Sequence, residues 1–225
     1  MSGHRVVSFA LAAGAGALAY KYCLRPRYMR WGATDDEVRR ELPGDELTSN
    51  WAWQATRAVT INAPVEAVWP WLMQVGQDRG GFYSDAWLAK LAGPGGVRRA
   101  GAVVPERPDR RVGESVWLAR PDRLGGAERL VVAALERGHY MALVSPTKAE
   151  RLTTGDPGGE GAWVFVVEPI NEHTTRLLVR TRAGEDTGFL RWLYTFFVAD
   201  PAHFVMERRM MLGIKERAEA LARHA

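Results

Sequence analysis

The C-terminal stretch, residues 200–225, constrains the fold most, because it has the pattern of a single long amphipathic helix. Asp200 is a favourable N-cap residue and Pro201 suits the first helical position, so the sequence predicts that the helix begins here. At about 100° per residue, apolar side chains share one stripe, and charged ones such as Arg208 and Lys215 lie opposite. The apolar stripe comprises Met206, Met210, Met211, Ile214, Ala218 and Leu221. Such a helix needs an extended apolar surface to cover.

Two polar residues, His203 and Glu207, interrupt this stripe four positions apart. A buried polar group without a partner costs about 1–3 kcal/mol, so both side chains need partners. Two interpretations are open. In the first, the pair lies in a solid core and its hydrogen-bond partners are other residues of the protein. In the second, the pair lies in the wall of a cavity and a bound molecule supplies the remaining partner. In an apolar cavity we expect the pKa of Glu207 to be raised, which would let it exchange a proton beside His203.

The composition is that of an ordinary globular protein with one main domain and an appendage. Among the 225 residues the net charge is only +4 and is dispersed along the chain. There is no zinc-finger spacing and no basic stripe interleaved with stacking aromatics, so nucleic acid is not an expected partner. Cys23 is the single cysteine, which excludes an intramolecular disulfide and favours a reducing compartment.

The N-terminal segment contains an uncharged apolar run over residues 6–20, preceded by Arg5. Basic residues follow it at Lys21, Arg25, Arg27 and Arg30. The run spans about 22 Å as a helix, and a snorkelling Lys21 would extend it through Leu24 towards the roughly 30 Å of a bilayer core. Because basic residues favour the cytoplasmic side, residues 1–30 are predicted to be a single-pass membrane anchor with a cytoplasmic domain. Two alternatives stay open: a cleaved signal peptide, for which Ala17-Leu18-Ala19 is a suitable site, and a buried helix of a soluble protein.

The remaining chain is predicted to be a polar linker, residues 31–54, and one domain, residues 55–225. Thr34 and Glu37 form a capping pattern that predicts a short helix over residues 35–41 in the linker. Within the domain, helices are predicted from the Asn62 cap to Val75, over residues 83–91, and from Asp200 onward. The predicted strands are residues 56–61, 115–119, 130–136, 140–145, 162–168 and 174–183. The glycine-rich residues 155–161 are predicted to form a hairpin connection. Short connections indicate an antiparallel meander, whose open face the final helix can cover.

Several segments of this domain resemble the SRPBCC superfamily, which includes START lipid-transfer domains, birch-pollen-allergen-like proteins and polyketide cyclases. The resemblance begins with INAPVEAVW at residues 61–69 and continues with GQDRGGFYS at residues 76–84. It resumes with VPE at 104–106 and RVGE at 111–114, and ends with PAHFVMERRM at 201–210. It implies an α+β helix-grip fold, in which a curved antiparallel sheet surrounds a long helix and a deep hydrophobic cavity. The superfamily contains carriers, sensors, cyclases and hydrolases, so it does not imply one reaction.

The residues support two classes of function. The first is a membrane-tethered carrier or sensor for a lipid, isoprenoid or polyketide-like molecule; the second is a cyclase- or hydratase-type enzyme with Glu207 and His203 as its acid–base pair. The predicted ligand-binding residues are Met206, Met210, Ile214, Glu207, His203, Trp87, Tyr83 and Arg79. Arg79 and Tyr83 could instead fix the Gly80-Gly81 turn. Only two metal ligands share a face and no nucleophile motif is present, so neither a metal nor a cofactor is expected. The sequence favours binding, because an enzyme pocket usually gathers several titratable groups.

Overall fold

A computed structural model of the chain describes residues 8, 11, 14–81, 109–118, 129–155, 161–184 and 188–224. Its centre is a six-stranded antiparallel sheet in the order β1-β6-β5-β4-β3-β2. The strands are β1 (Trp53–Ile61), β2 (Ser115–Trp117), β3 (Arg129–Glu136), β4 (Tyr140–Val144), β5 (Ala162–Asn171) and β6 (Thr174–Ala183). The helices are α1 (Arg25–Met29), α2 (Asp35–Arg39), α3 (Val65–Met73), α4 (Pro146–Thr153), α5 (Phe189–Tyr194) and α6 (Asp200–His224). The curved sheet and long final helix confirm the predicted α+β helix-grip fold.

Alternation along the strands divides the sheet into two buried faces. On the inner face, Trp163, Phe165 and Val167 of β5 share one core with α3 and α6. On the outer face, Ala162, Val164 and Val166 pack in a second cluster. Because side chains of a strand point to opposite sides with a period of two, a strand segment buried on both faces is apolar throughout, as residues 162–167 of β5 are.

The final helix begins earlier than the sequence predicts. α5 and a π-helical turn, Thr195–Ala199, run directly into α6, so Asp200 has helical dihedral angles and is not an N-cap. The Asp200 N–H donates to the carbonyl of Thr195, five residues back, and this wider turn leaves room for the ring of Pro201, which has no N–H of its own. The Asp200 carboxylate instead binds Arg25, at 2.8 Å.

The expected linker residues lie on the outer face of the sheet. Thr34 and Glu37 form the predicted capping box of α2. Asp45, in a short 3₁₀ turn over Asp45–Leu47, pairs with Arg180 at 2.5 Å and with Arg182 at 2.9 Å. Leu42 and Leu47 pack on the outer apolar cluster. The segment therefore has both apolar and ionic contacts with β6 and its neighbours.

The N-terminal helix packs against the start of the C-terminal helix. Residues 14–19, a π turn at Tyr20–Leu24, and α1 form one helical run. The Tyr20 hydroxyl donates to the Phe196 carbonyl at 2.5 Å, and Tyr28 and Met29 are buried. None of the described helices combines the length and apolarity needed to cross a membrane. The predicted single-pass anchor is therefore wrong: the residues that would have lengthened a 22 Å run are part of a helix docked on the domain.

Smaller differences concern the helices that flank the sheet. Pro64, not Asn62, occupies the cap position of α3, and the Asn62 N–H donates to Glu219 of α6. The sequence interpretation missed α4, although its Ser145 side chain caps it at Lys148 N–H and proline begins it. The predicted helix over residues 83–91, the VPE motif and residues 156–160 of the predicted hairpin lie outside the described residues.

Candidate functional site

Glu207, the polar residue predicted to interrupt the apolar stripe, lies at the centre of a buried polar cluster. Its side chain is fully excluded from solvent. One carboxylate oxygen, Oε1, accepts from Arg57 Nη1 at 2.7 Å, and the other, Oε2, accepts from Trp163 Nε1 at 2.8 Å. The Thr181 hydroxyl lies 3.5 Å from Oε2. The helix is thus tied by one carboxylate to three strands, β1, β5 and β6.

Arg57 is the cationic partner in this cluster and is itself almost fully buried, with 2% of its side chain exposed. Its Nε donates to the backbone carbonyl of Tyr28 at 2.8 Å, which connects the cluster to α1. The guanidinium also lies over the ring of Phe204, 5.3 Å from its centroid, a cation–π distance. The ion pair is therefore enclosed by α1, β1 and α6.

The environment lowers the pKa of Glu207, contrary to the raised pKa expected from an apolar cavity. Burial alone would raise it, but the neighbouring His203 and the charge and hydrogen bond of Arg57 outweigh that effect. The sequence interpretation considered only the helix's own apolar stripe, whereas the cation that reverses the shift comes from β1. The carboxyl group is therefore an ionised acceptor at neutral pH.

His203 lies one turn before Glu207, at the partly open end of the cluster. Its Nε2 is 3.2 Å from Glu207 Oε2, a distance suitable for an ion pair, but it makes no hydrogen bond to any described atom. Its ring packs edge-on against Trp163, with 5.5 Å between centroids. The side chain is 29% exposed, so His203 joins the buried cluster to the surface.

The predicted apolar lining of α6 packs against the inner face of the sheet. Met210 and Ile214 are completely buried in the inner core, and Met206 is partly buried at its edge. Trp69 and Trp71 of α3 are core residues too. The structure therefore brings Met206, Met210, Ile214, His203 and Glu207 together along one side of α6.

Arg79 lies elsewhere, in a network that fixes the glycine turn after α3. It donates to the Met73 carbonyl at 3.2 Å and to Glu114 at 2.7 Å. The fully buried Arg110 binds the same carboxylate at 2.9 Å and also binds Asp78 at 3.1 Å. The network joins residues 73–81 to the start of β2. These contacts agree with the turn-fixing interpretation of Arg79.

Two predicted site residues, Tyr83 and Trp87, lie outside the described residues. A cavity of about 440 Å³ lies between β3 and α4, lined by residues such as Val131, Ala133 and Leu152. It is separate from the Glu207 cluster. Within the described parts of the chain, no three His, Cys, Asp or Glu side chains are grouped so that they could hold a metal ion.

Sequence reasoning missed Arg57 and Trp163, the two donors that satisfy Glu207. A signal for Arg57 was present, because in β1 it alternates with Ala55, Val59 and Ile61 and so occupies an inward position among apolar residues. A charged residue at such a position requires a partner of opposite charge. Nothing local in the sequence identifies Glu207, 150 residues away, as that partner.

Comparisons with known proteins return solved structures of low identity. A scan against family models and a search of curated proteins each find no match. A polyketide_cyc-like protein from Corynebacterium glutamicum is 18% identical with a TM-score of 0.32, over 76% of this chain and 90% of that one. The di-domain ARO/CYC protein BexL of the BE-7585A biosynthetic pathway is 15% identical with a TM-score of 0.38, over 74% of this chain and 46% of that one. A conserved protein from Geobacillus kaustophilus is 12% identical with a TM-score of 0.40, over 75% and 96%.

Proposed function

We propose that the protein binds a hydrophobic small molecule between α6 and the inner face of the sheet, as a carrier or sensor. The observation that supports this most is that the hydrogen-bond acceptors of Glu207 already have donors within the protein. Its carboxylate oxygens are both occupied by donors of the chain itself, Arg57 and Trp163. The surrounding inner-face side chains are apolar, among them Phe165 and Val179. These two side chains are already excluded from solvent, so a ligand would add apolar contact at the partly buried Met206, on the edge of the same core.

The same geometry favours binding over catalysis. A general acid or base must exchange its proton near the operating pH, and a carboxyl group with a lowered pKa is a weak base and is not protonated at pH 7. Glu207 also has no side-chain surface open to solvent. We therefore assign Glu207 and Arg57 a structural role: they fix the register of α6 on β1.

The ligand class in this proposal is a lipid, isoprenoid or polyketide-like molecule. Native mass spectrometry of the full-length protein, purified without delipidation, would identify a co-purified molecule. An apolar fluorescent probe would then measure binding in Met206→Trp, which adds bulk at the edge of the inner core. Leu221→Trp is the matched control, because Leu221 is 41% exposed near the far end of the same helix.

Probe affinity should fall in Met206→Trp and not in Leu221→Trp, with similar melting temperatures. If the wild type carries no co-purified molecule and binds no apolar probe, the binding function is refuted. If both variants bind the probe as the wild type does, the ligand does not lie along α6.

The second candidate is a cyclase- or hydratase-type enzyme, and one observation favours it. His203 Nε2 is buried, makes no hydrogen bond to a described atom and lies 3.2 Å from the Glu207 carboxylate. A histidine so placed can accept a proton while the carboxylate stabilises the resulting charge. His203→Phe keeps an aromatic ring against Trp163 and removes the titrating group. For an enzyme, turnover of polyketide or isoprenoid test substrates should fall by about 10²–10⁴-fold in this variant; for a carrier, the wild type should form no product.

A further inference from the structure

Large apolar side chains are exposed together on two neighbouring helical segments, the N-terminal helix and the start of the C-terminal helix. None of the six residues of α5 is buried, and Phe189 and Leu190 are 72% and 79% exposed. The exposed side chains are Leu11, Leu18, Tyr22, Leu24, Phe189, Leu190, Trp192, Tyr194, Phe197 and Val198, and we call them the helix-pair surface. Elsewhere in the described ranges such residues occur singly, at Trp51, Val112, Ile170 and Leu221. Clusters of this kind mark interaction sites.

The two segments are held side by side. The Tyr20 ring stacks on Phe197 with 5.2 Å between centroids, and its hydroxyl donates to the carbonyl of Phe196. Arg25 pairs with Asp200 at 2.8 Å, and this aspartate is buried. These contacts fix both helices to the body of the domain. The helix-pair surface is therefore a feature of the folded protein that needs no rearrangement to be presented.

The charge on this part of the chain has one sign. Residues 1–30 and 188–199 contain no Asp or Glu. The basic residues there are Arg5, Lys21, Arg25, Arg27, Arg30 and Arg191. The acidic residues belong to the flanking segments: Asp200 pairs with Arg25, Asp35 pairs with Arg30, and Glu185 and Asp186 precede residue 188 in the sequence. A second copy of the same surface would bring like charges together, whereas an anionic partner would be attracted.

The aromatic residues of the helix-pair surface indicate which kind of anionic partner it binds. Trp and Tyr are enriched where an apolar phase meets water, because each has an apolar ring and a polar group. Helices that combine such residues with Lys and Arg lie in the plane of an anionic bilayer interface. Residues 189–199 span only about 16 Å as a helix, far too little to cross a bilayer and enough to lie along its surface.

From these observations we infer that the helix-pair surface docks on the surface of an anionic lipid bilayer. Phe189, Leu190 and Trp192 enter the interface, and Lys21 and Arg191 lie at the level of the lipid headgroups. The chain lies on the bilayer and does not span it. This inference does not depend on the proposed ligand, since it uses no residue of the inner face.

Vesicle co-sedimentation of the full-length protein tests the docking. Phosphatidylcholine vesicles with phosphatidylglycerol should bind the wild type more strongly than phosphatidylcholine alone, and added salt should weaken the difference. Leu190→Glu should lower partitioning by about tenfold or more, the factor that corresponds to withdrawing one buried leucine. Leu221→Glu is the matched control, with the same change of residue and charge near the opposite end of the helix, and should bind as the wild type does.

Three results would overturn the inference. One is wild-type protein that stays in the supernatant with anionic vesicles. Another is equal binding by Leu190→Glu and Leu221→Glu, provided that Phe189→Glu, at a second exposed position, also binds normally. The third concerns the oligomeric state without lipid. If analytical ultracentrifugation shows that the wild type is a dimer and Leu190→Glu is a monomer, the helix-pair surface binds a second copy of the chain and not a bilayer. Circular dichroism melts of each variant establish that it is folded.

Discussion

Glu207→Gln is the substitution that tests the buried ion pair most directly. Glu207 is 0% exposed and Arg57 only 2%, so neither side chain can be resolvated if its partner is removed. Loss of one member of a buried pair leaves an uncompensated charge and costs about 3–5 kcal/mol. For a domain of this size that loss should lower the melting temperature by about 6–20 °C.

The geometry explains why the amide is a poor replacement for the carboxylate. The two oxygens of Glu207 accept from different donors, Arg57 Nη1 at 2.7 Å and Trp163 Nε1 at 2.8 Å. Glutamine has one oxygen and one NH₂ group, so whichever way it is turned, its NH₂ faces a donor. One buried donor then lacks an acceptor. We therefore expect the loss of stability to exceed that of an ordinary Glu-to-Gln change.

The pH dependence of stability follows from the lowered pKa of Glu207. A carboxyl group whose pKa is lower in the folded state than in the unfolded state stabilises the fold fully above the unfolded value. This contribution is lost as the pH falls below about 4.5 and through the folded pKa. The difference in free energy of unfolding between wild type and Glu207→Gln should therefore be constant near neutral pH and shrink as the solution is acidified.

Urea denaturation followed by circular dichroism measures these differences. Glu216→Gln is the matched control, because Glu216 is exposed on the same helix, and it should change stability by less than about 0.5 kcal/mol. A double replacement of Arg57 and Glu207 by methionine should recover most of the lost stability, since no unpaired charge remains. If Glu207→Gln is no more destabilising than the control, the pair does not have the buried, charged character described here.

Three further predictions concern other parts of the chain. Arg110→Met should destabilise the fold by about 1.5–3 kcal/mol and speed amide exchange in residues 74–81, because the fully buried guanidinium binds that turn. Unchanged amide exchange in these residues would contradict this. Burial and the hydrogen bond that the Tyr28 hydroxyl donates to Tyr20 raise the pKa of Tyr28. Its contribution to stability should be complete below about pH 10 and be lost as the pH rises from there through the raised pKa, so thermal melts of Tyr28→Phe should be less sensitive to alkali. Gly32→Ala should destabilise by more than about 1 kcal/mol, since φ is +72° and a Cβ would clash with a carbonyl oxygen of β1, whereas Gly16→Ala should not.

The elements that could be predicted from the sequence are those with a local signal. The alternating β-branched pattern of residues 56–61 predicted β1, and the Thr34–Glu37 capping box predicted α2. Elements whose bounds depend on tertiary contacts were missed. Asp200 has the residue type of an N-cap, but its carboxylate is bound by Arg25, and the helix continues through a π turn. Residue type alone does not distinguish a cap from an ion-pair partner.

In the candidate site, too, features with a local sequence signal were predicted and features that depend on tertiary contacts were not. The helical spacing of His203, Glu207 and Met210 placed them on one side of α6, and the structure agrees. The direction of the pKa shift of Glu207 was wrong, because it depends on a cation supplied by β1. A local pattern gives the position of a side chain, whereas its charge state depends on residues that only the fold brings near it.

On both faces of the sheet, a buried arginine needs backbone carbonyl acceptors that the N-terminal segment supplies. Arg57 on the inner face donates to the Tyr28 carbonyl, and Arg180 on the outer face donates to the carbonyls of Glu37 and Arg40, at 2.6 and 2.9 Å. Both arginines are buried, so the N–H groups that donate to these carbonyls have no acceptor until residues 28–45 are in place, and unmet donors on buried cations are costly. We therefore expect this segment to form together with the sheet. Its hydrogen-bonded amides, such as that of Arg40, should exchange with the same free energy of opening as those of β6. Faster exchange by several orders of magnitude in the segment alone would show that it docks on a sheet that is stable without it.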